Sequence, residues 1–313
     1  MVAGAPVSLV VLTYNEELNL PFLLESIQGQ VGEIVVVDSF STDRTCEIAE
    51  RCGARVYQHA FENQAKQFNW ALDNIPLRHD WVLRLDADET VAGDFGQRVS
   101  AALANTGDDV TGIYLRRRLY FMGRWMKHGG MYPRWILRLF RKDAGRYEDT
   151  TEEHVVLRWG KARKLALDFT DNNRRGLTYW VDKHNHWALG EMLDTMALMG
   201  YGTLAEGTVR ARLTGTQEQR TRWLKGNIYA RTPLFLRSFL YFAYRYFLRL
   251  GFLDGTEGLI FHFLQAFWYR FLVDAKIYEA RKFGLERACL RSEYTGSRAW
   301  EDRLAPTDSE RKH

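Results

Sequence analysis

Two carboxylates separated by one small residue stand directly after a strand-like apolar segment. Asp86 and Asp88 follow the run from Trp81 to Leu85, and alternate residues of an extended chain point to the same side. Neighbouring carboxylates repel each other unless a cation lies between them, and Mg²⁺ commonly binds one or two protein carboxylates together with water and phosphate oxygens. This D-x-D pattern therefore predicts a site for a divalent metal and a diphosphate. The alternative is a polar turn that closes a buried strand.

A second acidic cluster runs from Glu148 to Glu153 and is followed by His154. A suitably placed carboxylate can take the proton from a hydroxyl group while that group attacks an activated carbon. The cluster is therefore a candidate general base for group transfer. Acidic runs also occur in solvated loops and at helix N-termini, and the residues alone leave both interpretations open.

Basic and aromatic residues alternate in the segment between the two acidic motifs. Arg124, Trp125 and His128 belong to this segment, which lies between two predicted strands. Aromatic faces stack on sugars, and Arg and Lys bind phosphate groups, so the segment is a candidate acceptor cleft. The alternative is a half-exposed sheet whose basic residues face water.

A sheet must position these groups. Apolar, β-branched runs alternate with helix-type segments, which predicts βαβ units and a parallel sheet. Ligands bind beyond the carboxyl ends of the strands in such sheets. Thr13 to Glu16, Asp38 and Asp86 to Asp88 all stand at such ends and are expected to share one site. The predicted strands are 7–12, 34–37, 54–57 and 81–85, and the predicted helices are about 18–27, 45–51 and 63–72.

Composition excludes several classes of protein. The 313 residues suggest two domains, and a net charge of +4 is too small to indicate nucleic-acid binding. Cys46, Cys52 and Cys289 form no disulfide or metal-binding pattern, which fits a reducing cytosol. The start of the chain has no signal-peptide pattern. Glycine-rich dinucleotide and P-loop motifs are absent from the sequence.

The first hundred residues resemble a family-2 glycosyltransferase with the GT-A fold. The motifs that carry the resemblance are Val10 to Glu16, Val36 to Ser39 with Thr42 and Asp43, and Leu85 to Glu89. It implies an α/β fold with a Rossmann-like, mostly parallel sheet and helices on both faces. It also implies an enzyme that uses a nucleotide-diphosphate sugar as its donor.

The resemblance assigns roles to the residues at the strand ends. Thr13, Asn15 and Glu16 would hold the nucleoside, and Asp38 would contact the base or ribose. The D-x-D carboxylates would bind Mg²⁺ or Mn²⁺, which bridges the donor diphosphate. The predicted metal ligands are Asp86 and Asp88, and the predicted donor-binding residues are Thr13, Asn15, Glu16, Asp38, Lys66 and Asp86.

The second acidic cluster is similar to the Asp/Glu-Glu-His motif of bacterial polysaccharide and lipopolysaccharide-core members of the family. In those relatives the Glu before the His is taken as the base, which makes Glu153 the predicted base and Glu152 the second candidate. Glu152 departs from the relatives, which often carry Asp or His there. The candidate acceptor-binding residues are Arg124, Trp125, His128 and Lys183.

The C-terminal third is predicted to form amphipathic helices. Arg237, Arg245 and Arg249 fall on one face of a helix over 233–253, with apolar residues mostly opposite. A basic amphipathic helix is typical of binding in the plane of a membrane surface, so peripheral attachment to the cytoplasmic face of the inner membrane is expected. A second apolar run covers 259–273. The alternative is that both helices pack inside the protein.

These expectations divide the chain into three segments. Residues 1–110 would bind the donor, 111–200 would bind the acceptor and carry the base, and 201–313 would form a helical, membrane-associating extension. The predicted function is inverting, metal-dependent sugar transfer to a lipid-linked saccharide or lipopolysaccharide-core acceptor. One alternative is a sugar-phosphate nucleotidyltransferase, although such enzymes normally have a basic, glycine-rich first loop. The other is a non-catalytic, membrane-peripheral carbohydrate-binding protein.

Overall fold

The computed structural model describes residues 4–148, 155–199, 214 and 217–284. The chain divides into two compact units, Met1–Arg174 and Arg175–His313. The described strands all belong to unit 1, and the described part of unit 2 is helical. The predicted donor segment, 1–110, and the predicted acceptor segment, 111–200, both contribute strands to one sheet of unit 1. Their separate roles stay a prediction.

The first half of unit 1 follows the predicted alternation of strands and helices. Strand β1 pairs in parallel with both β2 and β4, and β2 pairs in parallel with β3. Thr13 and Asp38 are register partners at the ends of β1 and β2. The elements are β1 Ala5–Thr13, α1 Leu20–Ile27, β2 Val31–Asp38, α2 Thr45–Arg51, β3 Arg55–Gln58, α3 Gln64–Asn74 and β4 Trp81–Arg84.

The second half of unit 1 extends the sheet with strands in both directions, since β8 is antiparallel to β4 and β6 while β11 is parallel to β6. The sheet order is β3-β2-β1-β4-β8-β6-β11-β5, and β7 pairs with β6. Four of the seven neighbouring pairs on this path are parallel, so the predicted α/β fold is confirmed as a mixed sheet. The elements are β5 Glu89–Val91, α4 Phe95–Ala104, β6 Val110–Phe121, β7 Arg124–Trp125, β8 Arg134–Arg141, β9 Gly145–Tyr147, β10 Val155–Leu157 and β11 Lys161–Asp171.

Apolar side chains bury both faces of the parallel part of the sheet. Leu9 and Val11 of β1 pack on the side of α1, α2 and α4. Val10 points the other way and packs with Phe68 of α3. Strands covered on both faces read as continuous apolar runs, which explains why the sequence identifies them. Helices therefore lie on both sides of the sheet, as predicted.

Unit 2 is built from helices that share a separate apolar core. Ala188 and Met192 of α5 belong to the same buried cluster as Val273 and Ile277 of α9. No helix of the described residues is long and apolar enough to cross a membrane. The elements are α5 Gly176–Leu198, α6 Gln217–Asn227, a 3₁₀ turn Tyr229–Arg231, α7 Leu236–Ala243, a π-helical turn Tyr244–Leu248, a 3₁₀ turn Gly251–Asp254, α8 Gly255–His262, a π-helical turn Phe263–Trp268 and α9 Tyr269–Phe283.

The prediction that the C-terminal helix exposes a basic face is wrong. Arg237 is 2% exposed and donates from Nε to Oδ1 of Asp274 at 2.7 Å. Arg245 is 4% exposed and binds the side chain of Gln265. Of the three arginines, Arg249 alone is exposed. The helical wheel correctly placed Arg237 and Arg245 away from the apolar face, but that side packs against later helices of unit 2 and the apolar side is exposed.

Candidate donor and metal site

Thr13 and Asp38 join the ends of β1 and β2. Oγ1 of Thr13 donates a hydrogen bond to Oδ1 of Asp38 at 2.9 Å. Oδ2 of Asp38 accepts from the backbone N–H of Ser41 at 2.8 Å, and the Asp38 residue is fully buried. A short carboxylate that accepts a backbone N–H farther along the chain stabilises a turn. Asp38 is therefore placed as the anchor of the turn that follows β2.

Asn15 and Glu16 connect the segments that follow β1 and β2. Asn15 has a φ of 52°, a left-handed conformation in which Asn is enriched among non-glycine residues. Its Oδ1 accepts from the backbone N–H of Thr42 at 2.8 Å, and its own N–H donates to Ser41. The N–H of Glu16 donates to Oγ1 of Thr45 at 2.7 Å. These hydrogen bonds hold the segment after β1 against the segment after β2, so that the two form one continuous surface.

Lys66 lies at the start of α3, where Asn63 caps the helix. Oδ1 of Asn63 accepts from the backbone N–H of Lys66 at 2.8 Å, which satisfies one of the helix's first donors. The Lys66 ammonium forms an ion pair with Glu62, and both side chains are at least half exposed. The neighbouring Gln67 is buried instead and donates to Oγ of Ser39 at 3.2 Å. Gln67 thus contacts the turn after β2, a role that the sequence analysis did not assign.

Asp86 and Asp88 stand in a tight turn immediately after β4. The N–H of Glu89 donates to the carbonyl oxygen of Asp86 at 2.9 Å, so the chain turns here and does not continue extended as predicted. Both aspartates are half-buried on either side of the buried Ala87. Oδ2 of Asp88 accepts from Nδ2 of Asn173 at 2.9 Å. The turn keeps both carboxylates at the carboxyl end of β4.

Two buried arginines compensate the charge of Asp86. Nη2 of Arg84 lies 2.7 Å from Oδ1, and Nη2 of Arg138 lies 3.0 Å from Oδ2. Arg138 also binds the carboxylate of Glu89, which is 1% exposed. Burial raises the pKa of Glu89 well above its usual range, the charge of Asp86 raises it further, and Arg84 opposes the shift. The carboxylate of Asp86 therefore already forms ion pairs with two arginine side chains of the protein.

The donor chemistry of the turn fits a hard divalent ion. Asp86 and Asp88 offer oxygen ligands, and Mg²⁺ commonly takes one or two protein carboxylates. Within the described ranges, no group of three or more His, Cys, Asp or Glu side chains is arranged to hold a metal. Most of the coordination shell would therefore come from water and from a phosphate-bearing ligand. Asp88 faces a neutral amide and is the less compensated carboxylate of the two.

The candidate acceptor residues of unit 1 lie in a basic and aromatic cluster. Trp125 packs edge-on against Tyr132 with ring centroids 5.0 Å apart. Arg118 and Lys127 lie over its ring at 5.1 and 5.6 Å, which is within the range of a cation–π contact. Arg124 is exposed and His128 is half-buried. In unit 2, Nζ of Lys183 lies 4.7 Å from the ring of Trp187.

The predicted base, Glu153, and its alternative, Glu152, lie outside the described residues. The residues that flank their segment are paired, because Tyr147 of β9 is the antiparallel partner of Val155 of β10. Side-chain atoms of Asn69 bind both the N–H and the carbonyl oxygen of Tyr147, at 3.0 and 2.9 Å. The guanidinium of Arg84 lies 5.2 Å from the Tyr147 ring. Since Arg84 also binds Asp86, the segment that contains Glu153 begins next to the D-x-D turn.

A sequence profile for glycosyl transferase family 2 matches residues 8–167, just over half of the chain. The chain belongs to glycosyl transferase family 2. The matched span contains the predicted D-x-D turn, the stabilised segments after β1 and β2, and the acidic cluster. The protein is therefore a glycosyltransferase, as the sequence resemblance implied.

Individual relatives and structures differ in how much of the enzyme they cover. An uncharacterised glycosyltransferase of Rickettsia typhi is 25% identical over 280 residues, 87% of either chain. A lipopolysaccharide core biosynthesis glycosyltransferase of Rhizobium meliloti is 29% identical over 159 residues, 49% of this chain and 57% of the relative. Glucosyl-3-phosphoglycerate synthase of Mycobacterium tuberculosis, solved with Mn²⁺, UDP and glucosyl-3-phosphoglycerate, is 25% identical with a TM-score of 0.31. That match spans 37% of this chain and 45% of that structure.

The glycosyltransferase fold places most predicted donor and metal residues along one edge of the sheet. Because β1 lies between β2 and β4 and runs parallel to both, the carboxyl ends of all three strands meet there. The sequence analysis missed the supporting groups Arg84, Arg138 and Glu89. A signal was present, since an Arg inside an apolar strand must find a partner when it is buried. The identity of the partner is not visible in the sequence.

Proposed function

We propose that this enzyme transfers a sugar, with inversion, from a nucleotide-diphosphate sugar to a hydroxyl group of a lipid-linked saccharide or lipopolysaccharide-core acceptor. The observation that carries the proposal is the shared edge of β1, β2 and β4, where the stabilised segments around Asn15 and Asp38 accompany the Asp86–Asp88 turn. The site would work at the cytoplasmic face of the inner membrane, where nucleotide sugars are available. The match to a lipopolysaccharide core biosynthesis enzyme supports a saccharide acceptor.

The donor would lie along this edge. Thr13, Asn15 and Glu16 would hold the nucleoside, with Lys66 at the start of α3. Asp38 is buried and already accepts from Thr13 and Ser41. Its contribution to nucleoside binding is therefore to fix the shape of the surface formed with Asn15.

Asp88 and Asp86 would hold Mg²⁺ or Mn²⁺. Such an ion supplies positive charge that neutralises a leaving diphosphate. Arg84 and Arg138 orient the Asp86 carboxylate, because each places a guanidinium nitrogen within 3.0 Å of it. Asp88 is oriented by the amide of Asn173. The protein thus pre-positions both ligands.

Glu153 would act as the general base, with Glu152 as the second candidate. The acceptor oxygen forms a bond to the anomeric carbon while the bond from that carbon to the diphosphate oxygen breaks. The hydroxyl proton passes to the Glu153 carboxylate, and the electron pair leaves with the nucleoside diphosphate. The anchored position of Tyr147 beside Arg84 supports a base close to the D-x-D turn.

The acceptor would be bound by basic and aromatic side chains. Trp125 has Arg118 and Lys127 over its ring, Arg124 and His128 are close to it in sequence, and Lys183 lies on α5 of unit 2. An aromatic ring offers a face to a sugar, and a guanidinium or ammonium group binds phosphate. This combination suits a phosphorylated or diphosphate-linked saccharide.

A nucleotide-sugar screen tests the proposed reaction. The full chain is incubated with nucleotide sugars with and without Mg²⁺ or Mn²⁺, and thermal stabilisation and release of nucleoside diphosphate are followed. We expect metal-dependent stabilisation by at least one nucleotide sugar and slow release of the nucleoside diphosphate. A nucleotidyltransferase would instead make pyrophosphate from a nucleoside triphosphate and a sugar phosphate. A non-catalytic carbohydrate-binding protein would release neither product.

A further inference from the structure

The helical hairpin over 236–268, here called the apolar hairpin, exposes an unusual number of large apolar side chains. It consists of α7, the π-helical turn 244–248, the 3₁₀ turn 251–254, α8 and the π-helical turn 263–268. Eleven of its large apolar or aromatic residues are at least 44% exposed. Leu248 reaches 75%, Phe247 57%, and Phe239 and Leu240 55% each. Contiguous exposed apolar surface of this kind marks an interaction site.

Arg237, Arg245, Asp254 and His262 of the apolar hairpin are buried, whereas Arg249 is exposed. Arg237 pairs with Asp274 of α9, and Arg245 binds Gln265 in the returning limb. Asp254 and His262 are at most 2% exposed. A surface helix pair in water has the opposite arrangement, with charged groups outside and apolar groups inside. Hydrocarbon instead requires that polar groups find partners within the protein, as Arg237 and Arg245 do. Both ring nitrogens of His262 are buried without a hydrogen-bond partner among the described residues.

The two limbs of the apolar hairpin hold each other through aromatic contacts. The rings of Phe239 and Phe267 are 4.6 Å apart, and those of Phe242 and Phe263 are 6.3 Å apart. The exposed apolar side chains are therefore presented by a packed pair of helices. This pre-organisation lowers the conformational entropy that ordering on contact would otherwise cost.

The dimensions of the apolar hairpin favour partial insertion into a bilayer. Its outgoing limb, residues 236–248, is about 20 Å long at ~1.5 Å per residue, which is shorter than the ~30 Å hydrocarbon core. Arg249 is the exposed arginine at its end, and its Nη1 lies 3.1 Å from the hydroxyl of Tyr244. Tyr and Arg are side chains that lie at the boundary between headgroups and hydrocarbon.

We infer that the apolar hairpin inserts its exposed side chains into one leaflet of a phospholipid bilayer. This inference rests on the proposed membrane location and specifies how the enzyme attaches. Attachment is by apolar insertion, and the basic helix face predicted from the sequence does not supply it, because Arg237 and Arg245 are buried. Binding should therefore occur on neutral as well as anionic lipid and should survive high salt, since salt screens exposed charges.

The test introduces aspartate at two exposed positions near the turn of the hairpin and, as a control, at one exposed position at the end of α9. The Phe247→Asp/Leu248→Asp variant places two carboxylates on the proposed inserting surface. Phe283→Asp is the control, because Phe283 is 67% exposed at the end of α9 and lies roughly 30 Å from Phe263 at ~1.5 Å per residue. Circular dichroism and thermal unfolding verify that both variants are folded.

Co-sedimentation with phosphatidylcholine vesicles, and with vesicles containing phosphatidylglycerol, is measured at low and high salt. The parent and Phe283→Asp should bind both, and the double variant should bind at least tenfold less. Equal binding by the parent and the double variant would overturn the inference, as would no binding by the parent. Binding by the parent to anionic vesicles alone, lost at high salt, would show electrostatic attachment. A parent dimer without vesicles that the double variant dissociates would show that a second copy covers this surface.

Release of nucleoside diphosphate in solution is measured for the same variants. The double variant should match the parent, because Phe247 and Leu248 are not among the proposed donor, metal or base residues. Loss of vesicle binding with normal release therefore concerns the hairpin alone. Vesicle binding without release by any variant would leave the insertion standing and contradict the proposed reaction.

Discussion

Nη2 of Arg138 lies 3.0 Å from Oδ2 of Asp86, and the same nitrogen binds the buried carboxylate of Glu89. One guanidinium thus connects the D-x-D turn to the interior of the sheet. Its Nε is buried without a hydrogen-bond partner among the described residues, so the two carboxylates provide the polar contacts that the structure shows for it. Arg138 therefore supports the position of both carboxyl groups.

Arg138→Gln should destabilise the fold. It removes the positive charge that faces Asp86 and Glu89, and breaking a buried ion pair on one side costs about 3–5 kcal/mol. Urea unfolding measures the loss. Arg51→Gln is the control, because the exposed pair of Arg51 with Glu47 contributes less than about 1 kcal/mol. Equal stability of the two variants would contradict the proposed role of Arg138.

Asp88→Ala should remove the metal dependence of donor binding and abolish transfer. Asp88 is the D-x-D carboxylate that faces a neutral amide, from Asn173, and no arginine is bound to it among the described contacts. Calorimetric titration of a nucleoside diphosphate with and without Mn²⁺ measures the effect. Asp94→Ala is the control, since its side chain is 55% exposed and pairs with Arg98 on the surface. Unchanged metal dependence in Asp88→Ala would refute the assignment.

Glu153→Gln should lower the turnover number by ~10²–10⁴-fold, the usual contribution of a general base. Donor affinity should stay close to that of the parent, because the amide keeps the size of the side chain and removes only the proton acceptor. Single-turnover transfer and donor titration separate the two quantities. Glu152→Gln is the matched neighbour. If Glu152→Gln is inactive and Glu153→Gln is active, the base is Glu152.

Arg237→Met should destabilise unit 2 strongly. Asp274 is fully buried, and its Oδ1 accepts from Arg237 while its Oδ2 accepts from the N–H of Phe235 at 2.7 Å. Loss of the arginine leaves a buried charge, which costs about 3–5 kcal/mol. Urea unfolding should show near-parent stability for Arg249→Met, and partial recovery for Arg237→Met combined with Asp274→Leu. A mild effect of Arg237→Met would mean that the pair is not formed.

Unfolding free energy should fall as the pH falls from about 6.5 to 4. Burial lowers the pKa of His184 to about 4, and the charges of Lys183 and Arg270 act in the same direction. In this range the unfolded chain binds a proton that the folded protein does not, so acid favours unfolding by up to ~3 kcal/mol for this residue. His184→Gln should reduce the pH dependence measured by urea unfolding, and part of it should remain because burial also lowers the pKa of His262 to about 4. A slope equal to that of the parent would exclude His184 as its source.

Strands β1 to β4 and helices α1 to α3 of unit 1 were predicted to within a few residues because their signals are local, whereas α4 was not predicted. Strands β1, β2 and β4 are continuous apolar runs, and the polar residues after each run mark the carboxyl edge. The sequence did not predict β5, β9 and β10, which have three residues each. Such short strands carry little pattern of their own and form through pairing, of β5 with the distant β11 and of β9 with β10.

The supporting charges could not be predicted because their partners are distant in sequence. Arg138 binds Glu89, which is 49 positions away, and Arg237 binds Asp274, which is 37 positions away. A helical wheel shows which residues share a face and contains no information about what covers that face. An exposed basic face was therefore predicted for the arginines, although the structure buries Arg237 and Arg245.

Tyr147 and Val155, the residues on either side of the seven residues 148–154, are antiparallel partners and therefore lie next to each other. The free-energy cost of closing a loop grows slowly with its length, by about 0.6 kcal/mol for each doubling. Residues can thus be added or removed between Tyr147 and Val155 without loss of the contacts that Tyr147 makes with Asn69 and Arg84. The contacts that support the donor edge of the sheet thus lie before this segment and do not depend on its length.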